Sequence, residues 1–337
     1  MSKTKLQKES SDKNLIYLNR NEYFFKHPPD VIQALSLSFE EKFISHYAST
    51  KELSLLKKTL AIIYHVNENS VLLGHGAEDI FVKLLSWFRK EKSSIVMEDF
   101  SWTNYLHIAE GFQYDVHTVP VIQSESGFKF DKDGFIRKLG QLNSSIVFIT
   151  TPNNPTGHDV AIPDLVHLVS LFPNHLFIID TVYNEIVNVN YAQLFSLKNC
   201  IFVGSFSKFF GLPGLRLGYA LGQLPNAFQL NLGLQPSTIY AALAALNNYQ
   251  IYKKNRDEML SFSRKLFLEK SEKFKVYETH APFFLIKVYH KEAPFHLAEE
   301  KSGVVPKIIY RDKEIYVRFG LGPKEIQDKV AIYLNTL

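Results

Sequence analysis

The segment Gly204-Ser205-Phe206-Ser207-Lys208 carries a lysine behind two serines, and Arg216 follows Lys208 by 8 residues. A lysine amine on such a turn can form a Schiff base with an aldehyde, while Ser205, Ser207 and Arg216 offer two hydroxyls and a planar cation to a phosphate. Pyridoxal phosphate carries both groups. Taken alone, the segment reads equally well as a solvated lysine in a turn shaped by glycines, so its context has to decide.

Short apolar runs recur along the chain at Val71-Leu72-Leu73, Ser94 to Met97, Tyr114 to Val121, Ile146 to Thr150, Leu176 to Asp180, Ile201 to Gly204 and Leu217 to Leu221. Helical spacing separates nearly all of them, as in Ala77 to Arg89 with Ile80, Leu84, Leu85 and Phe88 on one side. This alternation predicts an α/β fold whose main sheet has seven mainly parallel strands covered on both faces. Ligands of such sheets bind outside the carboxyl ends of the strands. Gly74 to Glu78, Glu98 to Trp102, Thr151 to Gly157, Asp180 to Tyr183 and Ser205 to Lys208 therefore face one crevice. From Asn226 onward the pattern changes to a long helical stretch, Tyr240 to Leu268, and alternating strands at Phe284 to Val288 and Ile315 to Phe319. The expected division is a polar tail over 1–13, a large domain over 14–250 and a smaller α+β domain over 251–337. The N-terminal segment of the large domain is placed to complete the small one.

A chain of 337 residues, 46% of them hydrophobic and with 27 Phe and 17 Tyr, can bury a large core. The single cysteine, Cys200, excludes an intrachain disulfide and fits a reducing compartment. In the first 13 residues four Lys against Glu9 and Asp12 contribute +2 of the net +4, so the body is nearly balanced and carries no basic stripe for nucleic acid. No apolar run reaches membrane-spanning length, and Met1-Ser2-Lys3-Thr4-Lys5 runs into polar residues instead of a signal sequence. A cytoplasmic protein acting on small molecules is expected.

Collected at the strand ends, the motifs resemble the fold type I pyridoxal phosphate-dependent aminotransferases, and within them the histidinol-phosphate aminotransferase group. Leu18-Asn19-Arg20-Asn21-Glu22 resembles the group's N-terminal signature, Pro152-Asn153-Asn154-Pro155-Thr156-Gly157 its central loop, and Ser205-x-Ser207-Lys208 with Arg216 its lysine segment. The spacing agrees too: 26 residues from Asn154 to Asp180 and 28 from Asp180 to Lys208. The resemblance implies that Lys208 holds the cofactor and shuttles the proton at the substrate Cα. Asp180 would keep the pyridine nitrogen protonated, and Asn154 and Tyr183 would bond the ring oxygen. Trp102 would stack on the ring. Gly76, Ala77 and Glu78, opening a helix, would join Ser205, Ser207 and Arg216 around the phosphate. Arg318 would bind the substrate's anionic group, with Asn154 and Tyr23 beside it. Tyr47 would reach the phosphate of a neighbouring subunit, which implies a homodimer.

Two departures bear on substrate. The group's second anion-binding arginine is replaced by Lys307, a cation without the planar fork, and Thr181-Val182 stands between Asp180 and Tyr183 where the group has Glu-Ala. The expected reaction is amino-group exchange between a histidinol-phosphate-like or amino-acid amine and a 2-oxo acid, 2-oxoglutarate. A decarboxylase resembling threonine-phosphate decarboxylase is the alternative on the same scaffold. A third reading is a non-catalytic protein that only binds the cofactor.

Overall fold

Strands of Ile, Val, Leu and Phe with nearly every residue buried form the centre of the molecule, as expected where helices cover both faces of a sheet. The computed structural model describes residues 15–37, 40–41, 45–184, 192–195, 197–224, 233–290 and 292–337. The polar tail expected over 1–13 lies outside them. The seven strands run in the order Val71–Gly74, Gly218–Gly222, Cys200–Ser205, Leu176–Asp180, Ile146–Thr150, Ser94–Glu98 and Asp115–Val119. All neighbours are parallel except Gly218–Gly222, which runs antiparallel to both of its own.

A second, antiparallel sheet of four strands follows the order Phe274–Val276, Phe283–Val288, Glu314–Gly320 and Lys307–Arg311. It has its own core, built on Phe284, Val317, Phe319 and Tyr333. The N-terminal strand Ile16–Tyr17 pairs with Val304–Val305, and Leu18 is buried in that same core. The helical run expected over 240–268 is two helices, Pro236–Asn247 and Tyr249–Leu268. Asn248 makes the break: its backbone leaves the helical region, and its side-chain amide donates to Ala244 O at 2.9 Å and to Asp30 Oδ2 at 2.7 Å. Among the described residues no helix is long and apolar enough to cross a membrane.

The turn carrying Lys208 is anchored by aromatic rings on either side of it. Phe206 and Phe210 are both fully buried and stack at 5.2 Å, Phe206 also meets the Tyr219 ring edge-on, and Phe210 meets Tyr252 the same way. Phe206→Ala is expected to cost about 3–5 kcal/mol of unfolding free energy, read as the shift of the urea transition. A loss below about 1 kcal/mol would mean that the turn is held by something other than these rings.

Candidate active site

The carboxyl ends of the parallel strands open into a cavity of about 300 Å³, within the size range of small-molecule sites. Asp180 closes the strand Leu176–Asp180 and lies beside Thr150 of one neighbouring strand and Val203 of the other. Its carboxylate is 3% exposed. Oδ1 accepts the Val182 N–H at 3.0 Å, and Oδ2 accepts the hydroxyl of Tyr105. Burial pushes this carboxyl up to about 6, against the partial offset of those hydrogen bonds.

At the end of the next strand, Ser205 Oγ donates to Leu217 O at 3.3 Å and accepts the Ser207 N–H at 3.0 Å, which turns the chain toward Lys208. Lys208 Nζ donates to the backbone carbonyls of Arg20 at 2.7 Å and Asn21 at 3.4 Å. Desolvation, reinforced by the Arg318 charge, brings its amine down to about 8. That leaves a far larger neutral fraction at neutral pH than an ordinary lysine has.

Arg216 sits in the left-handed region at φ 50°, and its guanidinium lies over Gly76. A Cβ on Gly76 would stand 2.7 Å from Arg216 Nη2, and Gly76 itself has φ +81°. One on Gly218 would stand 2.5 Å from the carbonyl carbon of Gly76. Both glycines are thus required for the arginine to reach the start of the helix Gly76–Phe88, whose first turn has no side-chain cap. Uncapped N–H groups beside a guanidinium suit an anion.

Arg318 enters from the second sheet. It is 6% exposed; Nη1 donates to Asn154 Oδ1, Nη2 donates to Asn19 O at 2.5 Å, and the guanidinium lies 5.5 Å from the Phe283 ring centre. Asn154 Nδ2 and Asn21 Nδ2 both donate to the Tyr183 hydroxyl, at 3.3 and 3.1 Å. Arg318 Nε, Asn19 Oδ1 and Asn21 Oδ1 are buried without a hydrogen-bond partner among the described residues. Buried polar atoms left open beside a cavity fit a site shaped for a ligand. Its parts match what pyridoxal phosphate requires: a place for an anion, a buried carboxylate and a lysine amine.

The cavity wall brings together Ala77, Glu78, Trp102, Asn154, Asp180, Tyr183, Ser205, Ser207, Lys208, Arg216 and Arg318 of the residues expected from sequence, with Gly76 beneath Arg216. Two expected residues lie elsewhere. Tyr47 is 85% exposed and does not line the cavity of its own chain. Tyr23 does not line it either: its ring packs on Gly211 and His27, and its hydroxyl accepts from Asn255 Nδ2 at 2.6 Å. Lys307 is the direct strand partner of Arg318, yet it is exposed and outside the wall. Sequence reasoning missed Tyr105, Thr150 and Asn19. Thr150 ends a strand and was within reach of the strand-end rule, whereas Tyr105 reads as one more core aromatic in a helix.

A family model described as aminotransferase class I and II matches residues 13–327. Histidinol-phosphate aminotransferase 2 of Archaeoglobus fulgidus is 27% identical over 335 residues, covering 97% of this chain and 94% of that protein. Among solved structures, the histidinol-phosphate aminotransferase of Sinorhizobium meliloti in complex with pyridoxal-5'-phosphate superposes with a TM-score of 0.80 at 18% identity, over 100% of this chain and 96% of the other. The L-threonine-O-3-phosphate decarboxylase of Porphyromonas gingivalis superposes with a TM-score of 0.75 at 19% identity, over 96% and 99%. These two likenesses establish a shared fold.

Because the folded Asp180 carboxyl holds its proton more tightly than an unfolded one, its contribution to stability is complete below about pH 4 and is lost as pH rises through about 6. In cofactor-free protein, Asp180→Asn is therefore expected to gain on the parent between these limits, by on the order of 2–3 kcal/mol at pH 7 relative to pH 4. Urea unfolding across that range reads the effect. Parallel pH profiles for parent and variant would refute it.

Proposed function

The chain belongs to the aminotransferase class I and II family, and from that premise we propose that it exchanges an amino group between an amine bearing an anionic group and 2-oxoglutarate. The amine is of the histidinol-phosphate or amino-acid kind. The enzyme is a pyridoxal phosphate-dependent transaminase. When bound, that cofactor supplies an electron-withdrawing ring that stabilises negative charge at the substrate Cα. The observation that carries the reading is the convergence of Lys208, Asp180 and Arg318 on one cavity.

Each side chain then has work suited to its surroundings. Asp180, desolvated and fixed by the Val182 N–H, holds the proton of the ring nitrogen. Lys208 anchors the cofactor, and its Nζ, once free, takes and returns the proton at the substrate Cα; an amine brought down to about 8 suits both halves of that transfer. Asn154 and Tyr183, already linked through Asn154 Nδ2, bond the ring oxygen. Ser205, Ser207 and Arg216, with the N–H groups at Gly76, Ala77 and Glu78, hold the phosphate. Trp102 covers the ring and keeps water from the reacting carbon.

Arg318 grips the anionic group of the substrate, and its open Nε beside Nη gives a planar fork for a carboxylate or phosphate. Tyr47 serves the phosphate of a second subunit, so the working unit is a homodimer; its exposure in a single chain supports this. Tyr23 enters only as a buttress of the turn at Gly211.

Incubation of the loaded enzyme with glutamate is expected to release 2-oxoglutarate, and a panel of amines that includes histidinol phosphate would then identify the second substrate. Carbon dioxide released from a phosphorylated amino acid, with no 2-oxoglutarate from glutamate, would replace this reading with the decarboxylase. Lys208→Ala should lower kcat by at least about 10³-fold. Undiminished turnover in that variant would remove the lysine from the chemistry. Arg318→Gln should raise KM for the anionic substrate about 100-fold with a smaller effect on kcat; an unchanged KM would place the anion elsewhere.

A further inference from the structure

Tyr105 has no part in the roles above, yet its hydroxyl touches the carboxylate on which they depend. It lies in the helix Asn104–Gly111, 1% exposed, with its ring on the cavity wall. The hydroxyl donates to Asp180 Oδ2 and accepts from Thr150 Oγ1 at 3.1 Å. A phenol has one proton to give. Thr150 donates into the phenol's oxygen, so that proton is directed at Asp180, and Thr150 is itself the strand partner of Asp180.

The ring is fixed from several sides: it stacks on Phe148 at 4.9 Å and meets Phe81 and Trp102 edge-on at 5.3 and 5.1 Å. Asp180 is itself 3% exposed, and among the described residues its carboxylate accepts the Val182 N–H and this phenol. A carboxyl in such surroundings tends to take up a proton, and a protonated carboxyl is a poor partner for a pyridinium N–H.

We propose that Tyr105 is a positioning residue for Asp180: its phenolic proton keeps the carboxylate ionised and aimed, so that the cofactor's ring nitrogen retains its own proton. This rests on the reading of Asp180 as the partner of that nitrogen. The Val182 N–H fixes one carboxylate oxygen and Tyr105 the other, and each oxygen keeps a further lone pair for the ring N–H. The plain alternative is a core tyrosine whose hydroxyl has merely found an acceptor. The two differ in what loss of the hydroxyl does to the ring nitrogen.

The test is the nitrogen-15 resonance of ring-labelled pyridoxal phosphate in the reconstituted holoenzyme, compared between parent and Tyr105→Phe. Phenylalanine keeps the ring contacts and removes only the donor. The expected result is movement of the resonance toward the unprotonated value, as the proton passes from ring nitrogen to carboxyl, with kcat about 10- to 100-fold lower and KM for the amino substrate within about twofold. A protonated nitrogen in both proteins, with kcat unchanged within about twofold, overturns the inference for Tyr105 and leaves the role of Asp180 standing. An unprotonated nitrogen in the parent overturns both. Should Tyr105→Phe not fold, Thr150→Val keeps the phenol but removes the hydroxyl that donates into it. A smaller movement in the same direction is then expected, because linked hydrogen bonds strengthen one another, and no movement overturns the proposal.

Discussion

Burial of charge is the constraint on which this structure turns. Asp180 and Arg318 are 3% and 6% exposed, and Lys208 stands half-buried between them. A desolvated ion is tolerated only where fixed dipoles or opposite charge replace the water it has lost. Asp180 has a backbone N–H and a phenol, and Arg318 has an amide oxygen and a carbonyl. The strand ends and loops around the crevice are arranged to deliver those partners. The residual discomfort appears as a carboxyl raised to about 6 and an amine lowered to about 8. Perturbed groups of opposite type in one cleft are a mark of a reactive site.

The N-terminal segment completes this arrangement even though its own strand pairs with Val304–Val305 and Leu18 is buried in the core of the second sheet. Three consecutive residues meet three different site side chains: Asn19 O accepts from Arg318, Arg20 O from Lys208, and the Asn21 amide donates to Tyr183. Asn21 has φ 52°, and a Cβ on Gly320 would stand 2.9 Å from Leu18 O, so the segment lies directly on the strand that carries Arg318. The two sheets and this segment are therefore joined at the crevice by polar contacts and by two small apolar clusters, Phe100 and Phe128 with Tyr277, Leu285 and Tyr316, and Tyr183 with Ala281 and Phe283, while their main hydrophobic cores remain separate.

Much of this was legible in the sequence, because apolar runs of strand length fix a parallel sheet, and such a sheet fixes where its ligands lie. Asp180, Asn154 and Lys208 are each named by the run they follow. What stayed hidden depends on side chains that sequence periodicity treats alike. Tyr105 lies in a helix and reads as one more core aromatic, and only Asp180 and Thr150 on neighbouring strands give its hydroxyl meaning. Resemblance draws Tyr23 to the site, but ring packing on Gly211 holds it outside the cavity; Tyr47, expected to act on a neighbouring subunit, lies at the surface. The loop at Asn154 is pinned from behind by Asn153, which bonds Thr156 and Phe100 O, and by a buried His158–Glu98 pair at 3.1 Å. Asn153 and Thr156 share the motif that marks Asn154, whereas nothing in the sequence pattern marks Phe100, His158 or Glu98 as support for a loop.

Lys307 illustrates how register limits what a departure in sequence can do. It is the Cα partner of Arg318 in an antiparallel pair, and residues so paired project from the same face of the sheet. Shared facing does not bring it into the crevice: Arg318 is drawn inward by Asn154 and Asn19, while Lys307 remains exposed. An ammonium on a flexible stem keeps its hydration at modest cost, whereas a guanidinium held by two oxygens has lost its own. An anion entering this end of the cavity would therefore compensate Arg318 first. On the proposed role of Arg318, selection at this end of the cavity would follow the orientation of one rigid fork more than the number of cations nearby.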